Sequence, residues 1–168
     1  MEDVIINKVA QSSLITFNLE DLYDKHERGS FDMLQCLFQG LILREKDFRA
    51  FIAEHDWEQY RDKNVAVFCS TEAIIPTWAY MLLANKLQPV VHFLYFGTIT
   101  EMENVMLITA LNKVNPADYT DQRVVIKGCG EIEIPTAAFV EVTRMLTPFV
   151  KSLMYGEPCS TVPIFKRR

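Results

Sequence analysis

The sequence predicts an α/β fold: a single domain with a mostly parallel central sheet flanked by helices, built from two duplicated β-loop-α-β units. Two observations predict it. From Tyr60 onward, short apolar strand patterns alternate with helical patterns of ten or more residues, the order produced by right-handed crossovers in a parallel sheet. Residues 119–156 also repeat residues 60–97 without a gap once 59 is subtracted from their numbers. Thirteen of the 38 aligned pairs are identical: Tyr60/Tyr119, Asp62/Asp121, Val65/Val124, Glu72/Glu131, Ile75/Ile134, Pro76/Pro135, Thr77/Thr136, Ala79/Ala138, Leu87/Leu146, Pro89/Pro148, Val91/Val150, Leu94/Leu153 and Gly97/Gly156. Average composition would give about two or three such matches by chance.

In chain order, the alternation at Leu14 to Leu19 reads as a strand, followed by a charged connector from Glu20 to Ser30. An N-terminal helical extension is expected over residues 31–55. Its first helix would carry Phe31, Leu34, Leu37, Phe38, Leu41 and Ile42 on one face, ending near Gly40 or Leu43. Its second would bury Phe48, Phe51 and Ile52. Val65 to Phe68 then reads as a strand, Ile75 to Leu87 as a helix, Val90 to Phe96 as a strand and Thr100 to Lys113 as a helix. The second copy restarts the series with a strand at Val124 to Lys127, a helix at Pro135 to Leu146 and a strand at Val150 to Tyr155. A tail over residues 157–168 contains an edge strand at Val162 to Phe165. Pro76 and Pro135 suit the first turn of their helices, where a missing N–H costs nothing, and Pro89 and Pro148 suit the stops.

Composition narrows the function classes. A chain of 168 residues with 49% hydrophobic and 23% charged residues is expected to be globular and to need no disulfides. Its net charge of −5 argues against nucleic-acid partners, because phosphate binding requires a basic face. The start Met-Glu-Asp-Val-Ile-Ile-Asn does not resemble a secretory signal, and no apolar run reaches bilayer-spanning length, so a cytoplasmic location without membrane partners is expected.

The two loops between strand and helix read Phe68-Cys69-Ser70-Thr71-Glu72 and Lys127-Gly128-Cys129-Gly130-Glu131. Loops at the carboxyl ends of strands are where open α/β sheets bind ligands, and a helix N-terminus there stabilises a thiolate or anion. Cys159, in Gly156-Glu157-Pro158-Cys159-Ser160-Thr161, repeats the Cys-Ser-Thr of residues 69–71. A tail folded over the sheet would bring Cys69, Cys129 and Cys159 together as metal ligands. With a glutamate (Glu72, Glu131 or Glu157), they would hold zinc or an iron–sulfur cluster. Ser70, Thr71, Glu72, Gly128, Gly130, Glu131 and Ser160 would then line a ligand site. No Cys-x-x-Cys pair supports this set, and thiols that pack as small hydrophobes, or one reactive thiol, fit the same residues. Glu72 and Glu131 serve either as helix-dipole partners or as ligands and acid–base groups.

The strings Cys69-Ser-Thr-Glu-Ala-Ile-Ile-Pro-Thr-Trp-Ala-Tyr-Met-Leu-Leu, Val124-Val-Ile-Lys-Gly-Cys-Gly and Met154-Tyr-Gly-Glu-Pro-Cys-Ser-Thr-Val-Pro-Ile resemble a family of uncharacterised, mainly Bacteroidetes proteins, the domain-of-unknown-function 2480 family. The resemblance covers almost the whole chain and implies a single-domain bacterial protein, with no activity or cofactor to carry over. Three readings stay open at this level. One is a metal- or cluster-binding protein. A second is a non-enzymatic interaction module, with a homodimer through Trp78, Tyr80 and other aromatics as one form of it. The third is a small-molecule enzyme with a thiolate nucleophile.

Overall fold

The computed structural model describes residues 14–128, 130–157 and 159–168. It shows the α/β class with mostly parallel strands, and the strands are divided between two sheets. They belong to two compact units, one formed by the chain up to Asp24 with Asn104–Arg168 and the other by Lys25–Glu103.

The second unit, Lys25–Glu103, contains strand β2 (Arg28–Asp32), helix α1 (Glu45–Glu54), strand β3 (Asn64–Phe68), helix α2 (Thr77–Leu87) and strand β4 (Phe93–Phe96). Its sheet has the order β2-β3-β4, all parallel, so β3 is the central strand. Val65, Ala66 and Val67 of β3 are buried, the continuous apolar run expected of a strand covered on both faces. The core gathers Phe31, Met33, Phe48, Ile52, Ala79, Leu83 and Leu87 around it.

The first unit holds strand β1 (Leu14–Phe17), strand β5 (Arg123–Ile126), helix α4 (Thr136–Leu146), strand β6 (Ser152–Glu157) and strand β7 (Ser160–Lys166). Helix α3 (Ile99–Leu111) carries the chain from one unit into the other. The order here is β1-β5-β6-β7, parallel for the first three strands and antiparallel for β7. Phe17, Leu107, Leu111, Val142, Leu146 and Leu153 make its core.

The offset of 59 found in the sequence relates these elements as well. Helices α2 and α4 begin and end at equivalent residues, and Asp62 and Asp121 both have positive φ (56° and 58°). The parallel neighbours β2 and β1 also pair with β3 and β5 in the same register: Phe31 lies opposite Val67, and Phe17 opposite Ile126. Pro76 and Pro135 stand at the N-cap, one residue ahead of the expected first turn.

The helix expected from Phe31 to Leu43 is absent. Phe31 ends β2, and Asp32 accepts a hydrogen bond from the Leu34 N–H to open a single 3-10 turn, Met33–Cys36. Positive φ at Gln39 and Gly40 then turns the chain back into a short Phe38–Ile42 bridge. The helical stripe would have buried Leu41 and Ile42, which are 62% and 61% exposed; the buried residues are Phe31, Met33 and Cys36. An aspartate that caps locally has outcompeted an apolar spacing that strand and turn satisfy equally well. The same device opens three further 3-10 turns, at Asn18, Asp56 and Asn115.

Two interactions outside the ladders generate predictions. The His55 ring lies among Phe31, Phe51, Trp57 and Tyr60, and burial lowers its pKa while Asp56 partly raises it. A histidine held neutral contributes stability that is complete above its unfolded pKa of about 6.5 and is lost as pH falls from there toward the lower folded value. Urea midpoints measured at pH 8 and pH 5.5 should therefore fall with acid in the wild type and fall less in His55→Gln. The Arg167 guanidinium donates to Asp121 at 2.7 Å and to the carbonyls of Pro148 and Phe149 at 2.9 and 3.0 Å, tying the end of β7 to the stop after α4. Arg167→Ala should cost about 1 kcal/mol, the low value set by the exposure of the pair, and should speed amide exchange along β7.

Candidate functional site

The strand-end loops use their polar groups on one another. In the second unit the Asp32 carboxylate accepts from the Ser70 N–H at 3.0 Å and from the Leu34 N–H at 2.9 Å. Burial pushes the Asp32 carboxyl up, but the bonds from Ser70 and Leu34 outweigh that and hold it below the ordinary carboxylate range. Cys69, half-buried beside this loop, packs on the unit's core, and the Thr71 backbone carbonyl accepts from the Ala73 N–H. Burial pushes the Cys36 thiol up to about 12, with Asp32 and Cys69 adding to the rise, and Cys36 packs in the unit's core.

In the first unit the equivalent loop closes on Glu20, whose carboxylate accepts from the Ile132 N–H at 2.7 Å and lies 4.0 Å from the Lys127 amine. A Cβ at position 130 would come within 2.0 Å of that carboxylate, so a larger residue there would have to displace the Glu20 side chain. Tyr155 donates its hydroxyl to the Gly128 carbonyl at 3.3 Å. Together with Asn18, Glu133 and Phe139 these residues line a cleft of about 430 Å³ at the carboxyl ends of β1 and β5.

Cys129 lies outside the described residues. Cys69 and Cys159 belong to different units, and among the described residues neither joins a group of three His, Cys, Asp or Glu side chains within ligand distance. Cys159 is exposed between β6 and β7, with Ser160 opening β7. Glu72 and Glu131 are exposed and precede Thr77 and Thr136 by five residues, too early to serve the first turn of α2 or α4. His26 and His92 stack at 3.6 Å between ring centroids, and His92 precedes β4 instead of lying within a strand.

The feature that loop chemistry did not reveal is the outer edge of β4. Among the described residues no strand pairs with it. The amides of Phe93 and Gly97 bond inward to β3 (to the carbonyls of Lys63 and Val67), and strand alternation therefore turns those of Leu94 and Phe96 outward. A hollow of about 560 Å³ adjoins the edge, lined by Val67, Thr77, Tyr80, Met81, Ala84, Leu94, Tyr95 and Phe96. Tyr80 meets Phe96 edge-on at 5.1 Å, while Met81 and Phe96 are 68% and 67% exposed. Tyr80 thus belongs to this surface, whereas Trp78 is half-buried against Phe48.

The first unit has the same hollow, formed by Ile126, Phe139, Val140, Thr143 and Tyr155, each 59 residues beyond its counterpart. There it measures about 300 Å³, Ile164 of β7 forms part of its wall, and β7 covers the edge. A signal for this difference exists in the sequence: the second copy is followed by an apolar strand pattern and the first by a helix.

A family profile described as a protein of unknown function (DUF2480) matches residues 3–167. The chain belongs to the DUF2480 family. No curated protein and no solved structure matches it. Among the described residues of this DUF2480 protein, no helix is long and apolar enough to cross a membrane. The thiols of the DUF2480 chain should differ in reactivity: alkylation of native protein at pH 8 followed by peptide mapping is expected to label exposed Cys159 and spare Cys36.

Proposed function

We propose that this DUF2480 protein is a non-enzymatic interaction module that takes up an extended segment of another chain as a fourth strand beside β4. One observation carries the reading: among the described residues no strand covers the β4 edge or its apolar hollow, while the equivalent edge and hollow of the first unit are covered by an antiparallel strand of known sequence. An open edge presents unpaired N–H and C=O groups, and strand addition uses them for affinity while side-chain hollows supply selectivity. The zinc or iron–sulfur reading through Cys69, Cys129 and Cys159 rests on the sequence alone and has no comparable support.

The probe for a test follows from β7. A labelled, amide-capped peptide Ser-Thr-Val-Pro-Ile-Phe-Lys-Arg, the sequence of residues 160–167, should bind the full chain with Kd on the order of 10–100 µM. Binding should protect the Leu94 and Phe96 amides from exchange. Met81→Asp places a charge in the hollow from an exposed helix position and should abolish binding without unfolding the chain. A folded wild type that ignores the peptide at millimolar concentration would sink the proposal.

A further inference from the structure

The acceptors that hold the end of β7 in the first unit are duplicated in the second. Arg167 donates to the Asp121 carboxylate and to the carbonyls of Pro148 and Phe149. Subtracting 59 gives Asp62, Pro89 and Val90. Their backbone is built alike. Asp121 and Asp62 share left-handed φ, and each N–H donates at 3.0 Å to the equivalent carbonyl, of Phe149 in one unit and Val90 in the other. Asp62 and Pro89 are exposed, and among the described residues no basic side chain caps this second set of acceptors as Arg167 caps the first.

This inference rests on the reading of β4 as a strand acceptor. We propose that Asp62 with the carbonyls of Pro89 and Val90 is a socket for an arginine that follows the docked strand. The partner is therefore an extended cationic segment that runs antiparallel to β4. It places an aliphatic side chain over the hollow at Tyr80, Met81 and Ala84 and an arginine three residues later, the spacing of Ile164 and Arg167. Arginine suits the socket because its planar fork can serve a carboxylate and two carbonyls at once, which the point charge of lysine cannot. The net charge of −5 favours such a partner. A twofold copy of β4 fits less well, since its strand runs on into Gly97 and Thr98 and brings no cation to Asp62.

The test compares the β7 peptide with the same peptide carrying citrulline at its last position, which keeps the shape and removes the charge. Wild-type protein should bind the citrulline peptide about five- to tenfold more weakly. Asp62→Asn tolerates the positive φ and should bind both peptides with the weaker affinity, while Asp121→Asn, the control in the first unit, should leave the difference intact. Equal binding of both peptides to the wild type would overturn the arginine socket and leave the β4 edge reading standing. No binding of either would overturn the edge reading itself. A difference abolished by Asp121→Asn and retained in Asp62→Asn would mean that the peptide displaces β7, and would overturn the proposal. So would a chain that is dimeric in solution and blind to both peptides.

Discussion

The edge of a sheet is the constraint that the two units meet differently. A central strand such as β3 or β5 has both rows of backbone groups paired and both faces covered, whereas the last strand keeps one row unpaired. In the first unit the chain reverses after β6 and lays β7 along that row. The reversal depends on Gly156, whose φ is 123° and where a Cβ would lie 2.5 Å from the Ser160 carbonyl oxygen. Gly97 in the second unit has a comparable φ of 139°, and its N–H bonds to Val67 of β3. From there the paths part. Thr98 and Glu101 form a reciprocal cap, with the Thr98 N–H donating to the Glu101 carboxylate and the Glu101 N–H to the Thr98 hydroxyl, and helix α3 begins. This cap stands where the first unit has its reversal, and among the described residues no strand follows to cover the edge of β4.

Much of the remaining polar chemistry is structural. Short side chains at Asn18, Asp32, Asp56 and Asn115 hold 3-10 turns, and the carboxylates of Asp32 and Glu20 satisfy N–H groups of the strand-end loops. A loop whose donors are already occupied has fewer left for an anion, which weakens the general expectation that ligands bind at the carboxyl ends of parallel strands. The cleft beside Glu20 and Lys127 keeps that position in the fold, with its carboxylate already engaged by the chain.

The legible parts of the fold were those with redundant signals. Helices α2 and α4 were marked by apolar period, by prolines ahead of them and beyond them, and by agreement between the copies, so their boundaries were found within two residues. β7 was visible as Val162 to Phe165, although its antiparallel direction depends on a turn that composition does not reveal. The helical reading of Phe31 to Leu43 fails because Asp32, the residue that breaks the pattern, acts through side-chain hydrogen bonds and not through periodicity. Division into two sheets was illegible for a different reason: alternation of strand and helix specifies crossovers, not which strands share a ladder. The thiols at Cys69, Cys129 and Cys159 attracted attention by residue type, while the open edge is a relation between backbone atoms that no single residue announces.

Asp62 is where the comparison between units becomes chemical. A non-glycine residue at φ near 57° carries a cost that glycine avoids, and asparagine tolerates the region as well as aspartate does. Backbone geometry therefore accounts for a small polar residue at this turn but not for a negative charge. At Asp121 the charge has a use, since the carboxylate receives the Arg167 guanidinium that fastens β7. At Asp62 the turn, the stop after the helix and the neighbouring carbonyls are the same, but among the described residues no strand of its own sheet brings a cation there. On the proposed reading, a carboxylate beside an edge that no described strand covers would add selectivity to a surface whose backbone groups would otherwise accept any extended chain, and would favour a cationic segment over the apolar strand edges that promote aggregation.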